Sequence, residues 1–446
     1  MKKVLLILFA ALILIKNYAQ TPAQEINELL KQYSKQRSFN GVVLVAQKGR
    51  VLLEQGYGYK NATAKLFNDS ATIFQIGSIT KQFTAAMILQ LEEKHKLSLL
   101  DRLSKYIPDF PNGDSITIEN LLTHTSGIYN YTNDNAFMES NSPNPIKLTD
   151  LILLFKNKTL DFSPGTKYSY SNSGYILLGF IIEKITGKQY FTVIKENIIK
   201  PLGMIHTGFD FKNLKTRDKA IGYLKLTSKN ILPAPIVDSS VSYAAGSMYT
   251  TVGDLYKWDR ALYTNKILSD SSLRKTFTPF KNNYGYGWVI DSSYGKKVVM
   301  HQGDISGFVS FIARVPADET CIILFENEQS SGLPKIGENI NSILNQQPYD
   351  FPRVRNEIEV DTTILKEYTG QYQLAPNFIL TLTLEDGQLM VQATGQDKNE
   401  LFAEKENLFF LKFEDMQIEF IRAPDGKVDR LTLYQYSQKA NALKIK

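Results

Sequence analysis

Apolar residues along this chain repeat with two periods, and the change from one to the other divides it. Residues 4–15 form an unbroken apolar run behind Lys2-Lys3, with Ala19 as a small residue at a cleavage point. That layout is a secretory leader over residues 1–19, and the run is short for a membrane span. From 23 to 37, Ile26, Leu29, Leu30 and Tyr33 recur at helical spacing. Residues 41–46 and 51–54 read as two strands around the turn Gln47-Lys48-Gly49-Arg50. An extended stretch, 72–76, leads to a helix whose Phe83, Met87, Ile88 and Leu91 predict one buried face. Helical patterns then dominate: 117–122, 147–155, a helix through Ile176, Leu177, Ile181 and Ile182, and 190–199. Another starts at Thr251-Val252-Gly253-Asp254. Strands return at 287–290, 298–301, 308–315 and 321–325, followed by a helix over 333–344. Strands at both ends with helices between predict one α/β domain, 23–345, whose sheet draws on both ends and carries a helical insertion.

Residues 346–355 contain two prolines and read as a linker. Beyond it the period is two. Residues 378–384 alternate, Asp386-Gly387 turns the chain into Leu389-Met390-Val391, and further strands follow at 409–413, 418–421 and 431–434. Short, regularly spaced strands predict a small all-β barrel or sandwich over 356–446.

Composition changes this picture little. The hydrophobic share of 43% and charged share of 22% are those of a globular chain. The net charge of +6 includes three lysines of the leader, and no basic run or Arg-aromatic block points to nucleic acid. The single cysteine, Cys321, lies in a strand pattern, which makes it a core residue and leaves no intramolecular disulfide.

The candidate chemistry starts at Gly77-Ser78-Ile79-Thr80-Lys81, which opens a long helical pattern. Serine and lysine three apart share a helix face. A first-turn hydroxyl meets unpaired N–H groups and the positive end of the helix dipole. A lysine made neutral by burial can take the serine proton, and a serine beside a base is the minimum for nucleophilic catalysis. Alone, the pattern also fits a helix start with a solvated lysine one turn on. Three further stretches follow in order: Leu121-Leu122-Thr123-His124-Thr125-Ser126-Gly127, Tyr170-Ser171-Asn172 and His301-Gln302-Gly303. A Gly-x-Ser-x-Gly elbow, a His-Glu-x-x-His motif and a Cys/His cluster are all missing from the sequence, which disfavours an α/β-hydrolase triad and a metal site.

Together with the flanks Pro164-Gly165-Thr166 and Tyr286-Gly287-Trp288, these stretches resemble the serine β-lactamase and penicillin-binding-protein family. The likeness is to its class C-like branch of D-alanyl-D-alanine carboxypeptidases, β-lactamases and esterases, and covers most of 39–345. The resemblance implies a β-lactamase/transpeptidase-like fold: an antiparallel sheet flanked by helices, plus a helical subdomain. It implies that Ser78 forms an acyl-enzyme, that Lys81 and Tyr170 share proton transfer, and that Asn172 positions a substrate amide. It implies that the strand carrying His301 and Gly303 walls the cleft, and that the N–H groups of Ser78 and Asp304 form an oxyanion hole. No cofactor or metal is implied. The implied partner is a small-molecule or peptide substrate, a peptidoglycan peptide or β-lactam among them, in the periplasm or outside the cell. Membrane proximity would come only through an uncleaved leader. His301 departs from the lysine common in the family, which removes a cation for a substrate carboxylate and leaves room for esters. His124 is expected to hold the cleft loop. The tail from Tyr368-Thr369-Gly370-Gln371-Tyr372 resembles the lipocalin-like barrel appended to some members, with roles in shaping the cleft mouth, assembly or apolar binding. The alternative to a hydrolase is a penicillin-recognising sensor that acylates without turnover, and retention of Ser78, Lys81 and Tyr170 together favours the enzyme.

Overall fold

A seven-residue strand with six buried positions needs cover on both faces, and β1 (Gly41–Gln47) is such a strand. Val42, Leu44 and Ala46 enter one core, and Val43 and Val45 enter another. β6 (Thr320–Glu326) divides likewise, with Cys321, Ile323 and Phe325 on the first side and Ile322 and Leu324 on the second. In the computed structural model, residues 20–446 are described except 228–229, 330–331, 353–354, 397, 413–415 and 436–437. The expected leader, 1–19, lies outside the described residues.

The sheet has six strands. In chain order they are β1, β2 (Arg50–Tyr57), β3 (Val289–Ser293), β4 (Lys296–Ile305), β5 (Phe308–Val315) and β6. In space they run β2-β1-β6-β5-β4-β3, and every pairing is antiparallel. The N-terminal hairpin therefore joins the C-terminal meander through β1 and β6, as the sequence pattern anticipates.

One face is covered by α1 (Pro22–Lys35) and α6 (Leu333–Leu344). A capping box between Thr21 and Gln24 starts α1. The other face carries α2 (Thr80–Glu93) and the helical subdomain, including α3 (Asn172–Thr186), α4 (Ser239–Gly246) and α5 (Val252–Ala261). α2 differs from expectation. Thr80 to Leu91 are all buried, where the sequence predicts one apolar face. The helix is sandwiched between sheet and subdomain, so its polar positions must find partners inside: Gln82 accepts from the Trp258 indole at 2.9 Å, and Thr84 donates to the Ala244 carbonyl at 2.7 Å.

The C-terminal region is a closed antiparallel barrel of eight strands, β7 to β14, from β7 (Gly370–Ala375) to β14 (Gln438–Lys444). Its interior holds stacked Tyr368 and Phe420 rings, with centroids 4.1 Å apart, together with Tyr372 and Phe409. Asp350, which precedes the barrel, pairs with Lys335, and its carbonyl accepts from Asn339.

Candidate active site

Ser78 lies in a 3-10 turn, Gly77–Ile79, that leads directly into α2. Gly77 takes a φ of +47°, and a Cβ there would fall 2.7 Å from the Asp304 nitrogen. Gly303 is just as tight, since a Cβ there would sit 2.0 Å from the Ile76 carbonyl oxygen. These two glycines let β4 close onto the nucleophile turn, backbone to backbone. Ser78 is half-buried, whereas Lys81, one turn on, is buried completely.

The Lys81 amine has three neighbours: Ser78 Oγ at 2.9 Å, Asn172 Oδ1 at 2.8 Å and the Ala245 carbonyl at 2.8 Å. Burial holds its pKa well below the usual lysine range. A neutral amine has two N–H bonds and one lone pair. Asn172 Oδ1 and Ala245 O can only accept, so they take both N–H groups. The lone pair is left facing Ser78. No carboxylate is needed to create the base; position and desolvation do it.

Each of those acceptors is fixed in turn. Asn172 opens α3 behind Ser171, which is the residue at the cap position. Its backbone N–H goes to Asn130 Oδ1 at 3.0 Å, and its amide nitrogen donates to Thr132 Oγ1 at 3.1 Å, which leaves one amide N–H over. The Ala245 carbonyl is delivered by α4, which is broken at Tyr243 (φ 34°, ψ −128°), a backbone conformation rare outside glycine. The Tyr243 ring sits where Gly179 of α3 leaves room, since a Cβ on that glycine would lie 2.5 Å from it.

The Tyr170 hydroxyl is hydrogen-bonded to Ser78, and its ring centroid lies 4.9 Å from the Lys81 amine. Burial drives its pKa up, an effect that the Ser78 bond only partly offsets. The pair is thus divided, with Lys81 the unprotonated member and Tyr170 the protonated one. His124 organises this wall. Its Nδ1 accepts from the Ser171 N–H at 3.1 Å and its carbonyl from Ser169 at 3.0 Å, which clamps the strand on both sides of Tyr170. The His124 and Tyr170 rings are 4.2 Å apart.

His301 is buried on β4 with both nitrogens engaged. Nδ1 lies 2.6 Å from the Gln302 carbonyl and Nε2 2.9 Å from the Tyr284 hydroxyl. A carbonyl only accepts, so Nδ1 carries the proton and Nε2 accepts from Tyr284. Desolvation, then the neighbouring Lys81 amine, lowers the His301 pKa to about 3. It therefore presents a neutral ring to the cleft. Asp304, two residues past Gln302, is exposed, and Gln329 Nε2 donates to both of its carboxylate oxygens at 3.0 and 2.9 Å.

The site therefore gathers Ser78, Lys81, Tyr170, Asn172, His301, Gly303 and Asp304 around one cleft, from three separate stretches of chain. The beta-lactamase family profile matches residues 26–343. The chain belongs to the beta-lactamase family. It is 36% identical over 335 residues to the putative penicillin-binding protein PbpX of Bacillus subtilis (strain 168), covering 74% of this chain and 82% of that protein. Penicillin-binding protein 4* of the same organism is 30% identical over 453 residues, covering 96% of this chain and all 100% of the relative. Among solved structures, the octameric penicillin-binding protein homologue from Pyrococcus abyssi superposes with a TM-score of 0.67 at 25% identity, over 94% of this chain and 99% of that one. A D-stereospecific amidohydrolase from Streptomyces gives 0.62 at 25% identity, over 71% and 97%. Membership places the chain among serine hydrolases built on this fold. Residues 354–445 match a domain of unknown function, DUF3471, which corresponds to the barrel.

Sequence reasoning does not reach the Ala245 carbonyl, the Asn130 and Thr132 clamp or Tyr284. A backbone carbonyl has no side-chain signature. Tyr284, however, stands two residues before the Tyr286-Gly287-Trp288 flank, and its spacing from His301 across one hairpin was the available signal. Gly287 in that flank has a φ of +79° and would place a Cβ 3.0 Å from the Lys81 carbonyl oxygen, so the motif is a packing contact against α2.

Proposed function

We propose that this protein is an exported serine hydrolase that cleaves amide or ester carbonyls through an acyl-Ser78 intermediate. The observation that carries the reading is the orientation of Lys81: two obligate acceptors consume its N–H groups and turn its lone pair to Ser78 Oγ. Ser78 Oγ bonds to the substrate carbonyl carbon while its proton passes to Lys81. The oxyanion is received by the N–H groups of Ser78 and Asp304, whose backbones the Gly77 and Gly303 contacts bring together. Tyr170 gives its proton to the departing amine or alcohol and recovers one from Lys81. Water, activated by the same pair, then releases the acid and restores Ser78. The spare amide N–H of Asn172 orients the substrate. Neutral His301 supplies no cation, so a substrate carboxylate gains nothing at that position, which favours esters and uncharged amides over β-lactams and D-Ala termini. The leader pattern of residues 1–19 supports export to the periplasm or beyond. The D-stereospecific amidohydrolase among the similar structures is in keeping with amide cleavage.

The test joins labelling to turnover. A fluorophosphonate probe should mark the wild type once, and Ser78→Ala should abolish the mark. With p-nitrophenyl esters, nitrocefin and D-Ala-D-Ala peptides, covalent mass and product should both be followed. Undiminished labelling of the Ala variant sinks the nucleophile, and acyl-enzyme that persists without product identifies a sensor.

A further inference from the structure

Lys81 owes its aim to two acceptors, Asn172 Oδ1 on α3 and the Ala245 carbonyl on α4. One short loop, residues 128–133, is fastened to both helices, and it carries none of the sequence motifs. Three consecutive residues at the start of α3 hold it. Ser171 Oγ donates to the Ile128 carbonyl at 3.0 Å. Ser173 Oγ donates to the Tyr129 carbonyl at 2.7 Å and accepts from the Tyr131 N–H at 3.0 Å. Between them the Asn172 N–H goes to Asn130 Oδ1. On the other side, the Tyr131 hydroxyl donates to the Val241 carbonyl of α4 at 2.7 Å. The loop thus holds Thr132, half-buried, with its Oγ1 3.1 Å from Asn172 Nδ2. An asparagine amide has an acceptor at one end and two N–H donors at the other. With the oxygen towards Lys81, the amine spends an N–H there and keeps its lone pair for Ser78. The nitrogen end in the same place would take that lone pair and leave an amine N–H facing Ser78. With Oδ1 on Lys81, Nδ2 lies against Thr132, whose hydroxyl oxygen is the acceptor that steadies this arrangement.

We propose that Thr132 is a positioning residue for proton transfer from Ser78 Oγ to Lys81: by accepting from Asn172 Nδ2 it keeps Asn172 Oδ1 on the amine and the amine lone pair on the serine. The inference rests on the acyl-Ser78 reading and adds the residue that sets the direction of its base. Thr132 acts through Asn172, and the seating of its loop on α3 and α4 makes the contact rigid.

The experiment times fluorophosphonate labelling of Ser78 in the wild type, Thr132→Val and Thr132→Ser. Valine keeps the shape of threonine and loses the acceptor; serine keeps the acceptor and loses the methyl group. Thr132→Val should slow labelling about ten-fold or more, the loss expected when a buried donor is left without its partner, and Thr132→Ser should remain faster than Thr132→Val. Asn172→Ala, alone and combined with Thr132→Val, closes a double-mutant cycle. In that background Thr132→Val should bring no further loss. Wild-type labelling of Thr132→Val overturns the inference. Thr132→Ser slower than Thr132→Val also overturns it, because the residue then serves by packing. A full additional loss on top of Asn172→Ala overturns it as well, since Thr132 then acts by another route. Wild type that takes no label at all overturns the acyl-serine reading instead.

Discussion

At the scale of single residues the site works by withholding charge. Lys81, His124 and His301 are all basic side chains, and burial keeps all three neutral. For the histidines this has a thermodynamic signature. The folded-state pKa of His301 lies near 3, below the unfolded value of about 6.5. Between those values the unfolded chain binds a proton that the folded chain refuses, so stability is full above the unfolded pKa and falls as pH drops through the window. From pH 7.5 to 5 this one group should remove about 2 kcal/mol. Urea unfolding of His301→Gln should show a pH dependence flatter by that amount. Parallel curves for the two proteins would mean that His301 is not held neutral in the fold.

At the scale of elements the decisive contact is β4 against the turn that carries Ser78. It exists because Gly303 and Gly77 have no side chains. Gly303→Ala would set a methyl 2.0 Å from the Ile76 carbonyl, and backbone cannot step aside as a side chain can. Overpacking of this kind costs about 1 to 3 kcal/mol, which a domain of this size survives. The oxyanion donors, however, would be pushed apart, and losing one such donor costs about a hundred-fold or more in rate. The expected result is a folded variant whose rate of acylation falls at least that far. Acylation at the wild-type rate would show that β4 does not complete the site. The broken helix α4 makes the same point from the other side: strain at Tyr243 is retained where it aims a carbonyl at Lys81.

At the scale of the whole molecule the barrel and the catalytic domain meet near Glu328, the neighbour of Gln329. Burial raises the Glu328 carboxyl to about 7, and Lys412 and Glu400 of the barrel act on it with opposite sign, alongside Arg37 at the end of α1. It accepts from the Leu226 N–H at 2.8 Å. A raised carboxyl pKa means that the folded state holds a proton the unfolded state has lost, so stability falls as pH climbs from about 4.3 towards 7. Glu328→Gln keeps the hydrogen-bond acceptor without the charge. It should therefore stabilise the protein above pH 7, by on the order of 2 kcal/mol after solvent screening, and do little at pH 4.5. The two-pH comparison by urea denaturation tests this, and equal effects at both values would exclude a raised pKa at this junction.

The sequence by itself determined a great deal. The period of the apolar residues set the α/β domain, the change to period two set the barrel, and four short motifs in order named the family. Those signals are local, each carried by residues within a few positions of one another. It also put Ser78, Lys81, Tyr170, Asn172, His301, Gly303 and Asp304 in one site, through resemblance. What it could not decide was protonation and aim. Whether Lys81 is a base depends on complete burial between sheet and subdomain, and on a carbonyl 164 residues away along the chain. Burial of α2 on every side and the neutrality of His301 are likewise properties of what surrounds each residue in space. Desolvation and hydrogen-bond partnership depend on contacts made only when distant segments pack, and for that reason only the tertiary structure decided them.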